Sequence, residues 1–211
     1  KTIQDVMKKE IILGGTGPAS SIVIFPKVMN VVLGTKFKIV TGYKSSAAVD
    51  IAMERGEVQS RAGSYESIVS KQPQWITENK VVFLVQVGAR REKTLPNVPL
   101  LTELATNESQ RRMLQLISSP ILLGRPYLAP PGVGADRVAQ LRKAFDATMK
   151  DGEFVAESAK RKIDLQPISG DEVAKIVSET VDAPADVIAA ARKVMPKKKK
   201  KKKKKKAKKA E

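Results

Sequence analysis

The chain is predicted to be an α/β protein built on a parallel sheet with helices on its faces. Three observations carry that expectation. Short apolar runs alternate with amphipathic segments through the first ninety or so residues, in the order strand, helix, strand, helix, strand, helix, strand. A glycine-rich turn, Gly14-Gly15-Thr16-Gly17-Pro18, joins the first strand to the helix after it. A hydrophobic content of 42% over 211 residues suffices for one good core or two small ones.

Thr2 to Lys9 reads as a short helix, with Thr2 as cap and Ile3, Val6 and Met7 on one side. It feeds a strand at 10–14, where Ile11, Ile12 and Leu13 form a buried run. The next helix spans Ser20 to Leu33 and places Ile22, Phe25, Val28, Met29 and Val32 on one face. The loop between them can bring unpaired backbone N–H groups, the positive end of a helix dipole and small hydroxyls to one point, which makes an anion seat. The same residues also make an ordinary tight turn, with Ser20 or Ser21 as a plain N-cap. There is no third glycine at dinucleotide spacing and no Gly-Lys-Ser/Thr ending, so both readings stand on the residues alone.

Lys36 to Thr41 alternates as a strand, Ala47 to Arg55 is a helix closed by Gly56, and Val58 to Ala62 is a further strand. Ser64 to Asn79 is helical in part and broken at Pro73, and Lys80 to Val87 is a strongly apolar strand. In a parallel sheet of this order ligands sit beyond the C-terminal strand ends, where strand order reverses. The turns at 14–21, 42–46 and 61–66 are therefore expected to share one rim.

Gly88 to Pro99 is a polar turn region, and Leu100 to Ser119 holds one helix or two, with Arg111 and Arg112 on a solvated face. Ile121 to Ala129 is expected to be extended up to Pro130-Pro131-Gly132. Asp136 to Lys150 is a helix with Val138, Leu141, Phe145 and Met149 apolar, and Phe154 to Lys162 is another. Asp164 to Ile168 reads as a short strand. Ser169 and Glu172 then form a capping box at the start of a helix through Thr180, and Ala183 to Met195 closes the fold behind Pro184.

The formal charge of +17 points first to nucleic acid. Residues 197–211, however, hold twelve lysines and one glutamate, so +11 of that charge lies there and the remainder carries +6. Aromatic residues make up 4% and none alternates with Lys or Arg on a strand, so a base-stacking platform is not indicated. The lysine tail is expected to be disordered; it is either a non-specific binder of anionic surfaces or an appended segment, and it contributes nothing to naming a function. Cysteine and histidine are absent, which excludes disulfides, thiolate nucleophiles, Cys/His zinc sites and imidazole-dependent triads. No apolar run approaches the length of a membrane span, and no hydrophobic signal core follows Lys1.

Three groups of residues occur in order: Gly42-Tyr43 with Ala52-Met53-Glu54-Arg55-Gly56-Glu57-Val58, then Leu95-Pro96-x-Val98-Pro99, then Gly124-Arg125-Pro126-Tyr127-x-Ala129-Pro130-Pro131-Gly132-Val133. With Arg137, Leu141-Arg142-x-Ala144-Phe145 and Asp151-x-x-Phe154 after them, the chain resembles the receptors of tripartite tricarboxylate transporters, the Bug family of bacterial periplasmic solute-binding proteins. The resemblance covers residues 1 to 195. It implies a two-lobed α/β protein of the type II periplasmic-binding-protein kind that closes on a small organic carboxylate and presents it to a membrane permease. It further implies a preceding segment of roughly a hundred residues, about the size of a domain, carrying the signal peptide and part of the first lobe. On that view residues 1–121 form the complete second lobe, 122–130 a hinge-crossing strand, 131–196 the C-terminal part of the first lobe, and 197–211 the lysine tail.

The resemblance assigns ligand contact to the first loop, through Gly15, Thr16, Gly17, Ser20 and Ser21, and to Tyr43, Arg61, Gly63 and Ser64. Pro18-Ala19 within the loop, Ile22, and Ser45 in place of a glycine depart from the family pattern. Arg61 is the obvious cation to pair with a carboxylate, or else it pairs with Glu57 or Glu66 on the surface; Tyr43 is either a ligand contact or a strand-end aromatic. The leading expectation is a non-enzymatic periplasmic receptor with no catalytic residue, no metal and no cofactor, no specific nucleic-acid partner and no membrane insertion. The alternatives are an enzyme acting on anionic small molecules at the same rim, or binding of nucleic acid or anionic surfaces through the lysines.

Overall fold

The computed structural model describes residues 2–88, 90–161, 163 and 165–195. Three parallel strands form its sheet: β1 (Ile11–Gly15), β2 (Phe37–Thr41) and β3 (Ser60–Arg61), in the order β2-β1-β3. Gly15 lies beside Thr41 and Gly14 beside Arg61, so all three strands end at one edge. The molecule is thus α/β with a small parallel sheet, as the alternation of apolar runs requires.

Helix α1 (Ile3–Lys8) starts at Thr2, whose amide donates to Asp5 Oδ2 at 2.8 Å, and it buries Ile3 and Val6. The helices after β1 and β2 cover opposite sheet faces, α2 (Ser21–Leu33) on one and α3 (Ser46–Glu54) on the other. Side chains alternate along a strand, so Leu13 joins the core under α2 while Ile12 joins the cluster of Val49, Ala52 and Val58 under α3. Gly34, at φ +72°, ends α2 in the left-handed conformation that glycine tolerates best. Asn30 then ties α2 to β2: its Nδ2 donates to the Phe37 carbonyl at 2.8 Å, and its Oδ1 accepts from the Phe37 amide and the Thr35 hydroxyl.

Beyond the sheet the helices are α4 (Tyr65–Lys71), α5 (Pro73–Thr77), α6 (Glu108–Leu123), α7 (Ala135–Thr148), α8 (Gly152–Lys160), α9 (Gly170–Val181) and α10 (Ala185–Val194), with a 3-10 turn at Leu101–Leu104. Met113, Leu114 and Ile117 of α6 and Val187, Ala191 and Val194 of α10 enter the core under α2, so the last helix packs back on α2 and α6. In contrast, α7 and α9 bury no residue; Arg142 Nη1 joins them through Asp171 at 2.6 Å. No helix among the described residues is long and apolar enough to cross a membrane.

Four strand expectations are corrected. Val58 to Ala62 contributes only Ser60 and Arg61 to the sheet. Lys80 to Val87 forms no strand: Leu84, Val85 and Val87 do pack on the core, but the backbone makes a single bridge, Gln86 to Leu100. A two-residue β3 offers too short an edge for a further ladder, and Gln86 serves the following turn instead. Its Nε2 donates to the carbonyls of Leu95 and Val98, and its Oε1 accepts from the Glu92 amide. Residues 122–130 do not cross as a strand, because α6 runs through Leu123 and residues 124–130 carry no ladder. Pro120 is accommodated inside α6: it cannot donate to the Leu116 carbonyl, and Ser119 Oγ does so at 2.8 Å. Residues 165–168 likewise form no strand; Asp164 and the lysine tail lie outside the described residues.

Candidate functional site

The C-terminal edge of the sheet begins with two glycines that packing demands. A Cβ on Gly14 would lie 2.6 Å from Val49 Cγ1 and 3.1 Å from Val58 Cγ2, on the α3 face. One on Gly15 would lie 2.5 Å from Val23 Cγ2, on the α2 face. Both helices therefore sit against the bare backbone of β1, which brings their N-terminal turns close to the strand end. With the order β2-β1-β3, the chain leaves β1 toward one side while β3 lies on the other; the crevice between the ends of β1 and β3 is where strand order reverses and where open α/β sheets bind ligands.

On the α2 side, the loop after β1 is organised by its own hydroxyls. Thr16 Oγ1 donates to Ser20 Oγ at 3.1 Å, and Ser20 Oγ donates in turn to the Gly17 carbonyl at 2.7 Å. The Ser20 side chain thus makes no capping bond to the helix, leaving first-turn amides of α2 without a side-chain cap. Gly17 and Ser21 are exposed, while Thr16 and Ser20 are half-buried. The turn after β2 is fastened to this loop: the Gly42 amide donates to the Thr16 carbonyl at 3.0 Å and the Tyr43 amide to the Gly15 carbonyl at 3.4 Å.

On the α3 side lie Tyr43, Arg61 and Gly63. The half-buried Tyr43 ring packs with the Val49 cluster and flanks Gly14. Arg61 is not free at the surface. Its side chain is 4% exposed and its Nε lies 2.9 Å from Oδ1 of Asp50, itself 7% exposed. The N–H is not aimed along that line, so the contact is an ion pair without a well-formed hydrogen bond, and Arg61 Nη2 has no protein acceptor. Burial raises the Asp50 carboxyl above its ordinary value against the pull of Arg61, with Glu54 adding to the rise; burial lowers the Arg61 guanidinium, opposed by Asp50. Gly63 rests on the guanidinium: a Cβ there would be 3.2 Å from Cζ and Nη2 and 3.3 Å from Nη1, over its flat face. Ser64 Oγ accepts from the Ser67 amide and so caps α4.

The nine residues singled out from the sequence therefore share one edge but fall into two groups. Gly15, Thr16, Gly17, Ser20 and Ser21 belong to the α2 side, Tyr43, Arg61 and Gly63 to the α3 side, with Ser64 just beyond. The surface pairing of Arg61 with Glu57 or Glu66 is corrected: its partner is Asp50, and Glu57 instead faces Arg55 at 3.9 Å in solvent. Asp50 is the residue sequence reasoning missed. Its signal was an acid directly beside Val49 on a helix whose other buried positions are apolar. Two hollows lie away from the edge, one of about 580 Å³ along α7 and one of about 330 Å³ between the start of α1 and residues 83–84 and 97–99; neither includes any of the nine. Among the described residues no cluster of acids could hold a metal ion. No protein-family model matches this chain, and no curated protein matches it in sequence.

Proposed function

We propose that this chain is the ligand-binding part of a two-lobed periplasmic receptor that captures a small carboxylate-bearing metabolite and hands it to the membrane permease of a tripartite transporter. The observation that carries the reading is the convergence of the turns after β1, β2 and β3 on one edge, at the point where strand order reverses. There the Ser21 hydroxyl and the Ser21 and Ile22 amides are available to a carboxylate, while the Thr16 and Ser20 hydroxyls hold the loop in shape. The resemblance in the order of its motifs supports the receptor class, the two lobes and the periplasmic setting. A second lobe closing over the edge would exclude water and strengthen each charge-assisted hydrogen bond. Binding without chemistry is favoured because Asp50, the acid that faces the end of β3, is held by Arg61.

Calorimetric titration with succinate, glutarate and citrate tests the reading. Saturable binding is expected with at least one of them. Ser21→Ala removes a hydroxyl worth about 1.5 kcal/mol to a charged partner, and so weakens binding about tenfold. Absence of heat with all three, in a chain that is folded by circular dichroism, refutes the proposal.

A further inference from the structure

In the order β2-β1-β3, strand β2 is paired on one side only, and its register with β1 runs from Phe37 to Thr41. The Lys36 carbonyl accepts from the Ile11 amide, so by the alternation of a strand the peptide groups of Phe37, Ile39 and Thr41 face away from β1. At Phe37 the Asn30 side chain stands in for a neighbouring strand: its Oδ1 accepts from the Phe37 amide at 2.9 Å and its Nδ2 donates to the Phe37 carbonyl at 2.8 Å. The outward N–H and C=O groups of Ile39 and Thr41 have no such partner among the described residues. Helix α3 packs on β1 and β3, which leaves Lys38 exposed and Val40 40% exposed on that face of β2. The edge is also cationic. Lys36, Lys38 and Lys44 are exposed along β2 and the turn after it, α2 carries no acid, and Glu10 faces Lys38 at 3.5 Å.

We propose that the open end of β2 takes up an extended acidic segment of another protein as a further strand. The peptide groups of Ile39 and Thr41 bond its backbone, Lys38 and Lys44 pair with its carboxylates, and Val40 covers an apolar side chain between them. Asn30 fixes where the added strand stops, because the Phe37 amide is already engaged. A second copy of the chain is a poor occupant. Pairing β2 with itself antiparallel, Ile39 opposite Thr41, brings Lys36 toward Lys44 across the join, and like charges directly opposite are destabilising. The proposal is independent of carboxylate binding at the strand ends.

The test reads the full chain residue by residue, by NMR amide shifts and hydrogen exchange, so that contacts of the lysine tail with the probe do not enter. The probe is a short peptide alternating glutamate and valine, and its counterpart alternates lysine and valine. The acidic peptide is expected to shift the Ile39 and Thr41 amides saturably and to slow their exchange about tenfold, while the Phe37 amide, already bonded to Asn30, keeps its rate. Thr41→Pro removes an outward N–H and none of the bonds to β1, which an edge strand tolerates, and sets a ring in the path of the incoming strand; it is expected to weaken the acidic peptide at least about tenfold. Lys38→Glu/Lys44→Glu is expected to reverse the preference, so that the lysine peptide binds in place of the acidic one. Absence of any response, shifts at lysines without protection of Ile39 and Thr41, equal binding of the two peptides, or wild-type binding by a folded Thr41→Pro chain overturns the proposal. So does a wild-type chain that sediments as a dimer with its Ile39 and Thr41 amides already protected, which gives the edge to a second copy.

Discussion

Adding one methyl group at the end of β1 should report which helix covers which face of the sheet. In Gly14→Ala the new Cβ falls 2.6 Å from Val49 Cγ1, about 1 Å inside ordinary carbon–carbon contact. Val49 is fully buried and β-branched, so it cannot swing aside. Overpacking of this kind costs about 1–3 kcal/mol; taking about 2 kcal/mol, Tm falls by about 4–8 °C for a chain of this length. Gly15→Ala meets Val23 Cγ2 at 2.5 Å, equally buried, and should cost a similar amount. Val49→Ala and Val23→Ala each remove buried methyl groups and destabilise by about 1.5–3 kcal/mol alone. The informative measurement is the cross of the two series by chemical denaturation. Gly14→Ala should lose most of its cost beside Val49→Ala, the 3.1 Å approach to Val58 Cγ2 remaining, but keep its full cost beside Val23→Ala, and Gly15→Ala should be nearly silent beside Val23→Ala and unchanged beside Val49→Ala, giving coupling of about 1–3 kcal/mol within each face and none between faces. Coupling across faces, or none within them, would refute the arrangement of α2 and α3 on opposite sides of β1, and with it the placement of the crevice.

Other outcomes follow from the same packing and from the charged groups around it. Asp50→Ala leaves the Arg61 guanidinium buried without a partner and should destabilise by about 3–5 kcal/mol in urea titration, whereas Asp50→Leu/Arg61→Met should recover most of that loss. Because burial lifts the Asp50 carboxyl in the folded chain above its ordinary 3.8, the native state holds that proton longer than the unfolded state. Its contribution should therefore decline as pH rises from about 4 through the raised native value, and the stability difference between wild type and Asp50→Asn measured across that range should carry the decline. Glu103 and Glu172, held down by hydrogen bonds from Arg91 and from Ser169 respectively, act in the opposite sense, and their contribution is lost as pH falls. Ser169→Ala removes the acceptor for the Glu172 amide at the start of α9 and should cost about 1 kcal/mol, with helicity lost there first in hydrogen exchange.

What the sequence determined by itself is the set of features that depend on neighbours along the chain. Apolar spacing and terminal residues place α1, α2, α3, α7, α9 and α10 to within a residue or two, because helix hydrogen bonds and caps are local: Thr2 precedes α1, Gly56 follows the end of α3, and Ser169 with Glu172 opens α9. The parallel alternation was legible for the same reason, and it implied one shared edge for the turns after β1, β2 and β3. Tertiary structure decided what depends on partners far away in the chain. Whether an apolar run such as 80–87 becomes a strand depends on an available edge, and β3 ends after two residues. Whether Arg61 faces solvent or Asp50 depends on α3 lying over β3, a contact that no spacing in the chain encodes. The glycines show both levels together: their place in a turn is visible in the sequence, but only the approach of Val49 and Val23 explains why Gly14 and Gly15 can carry no side chain.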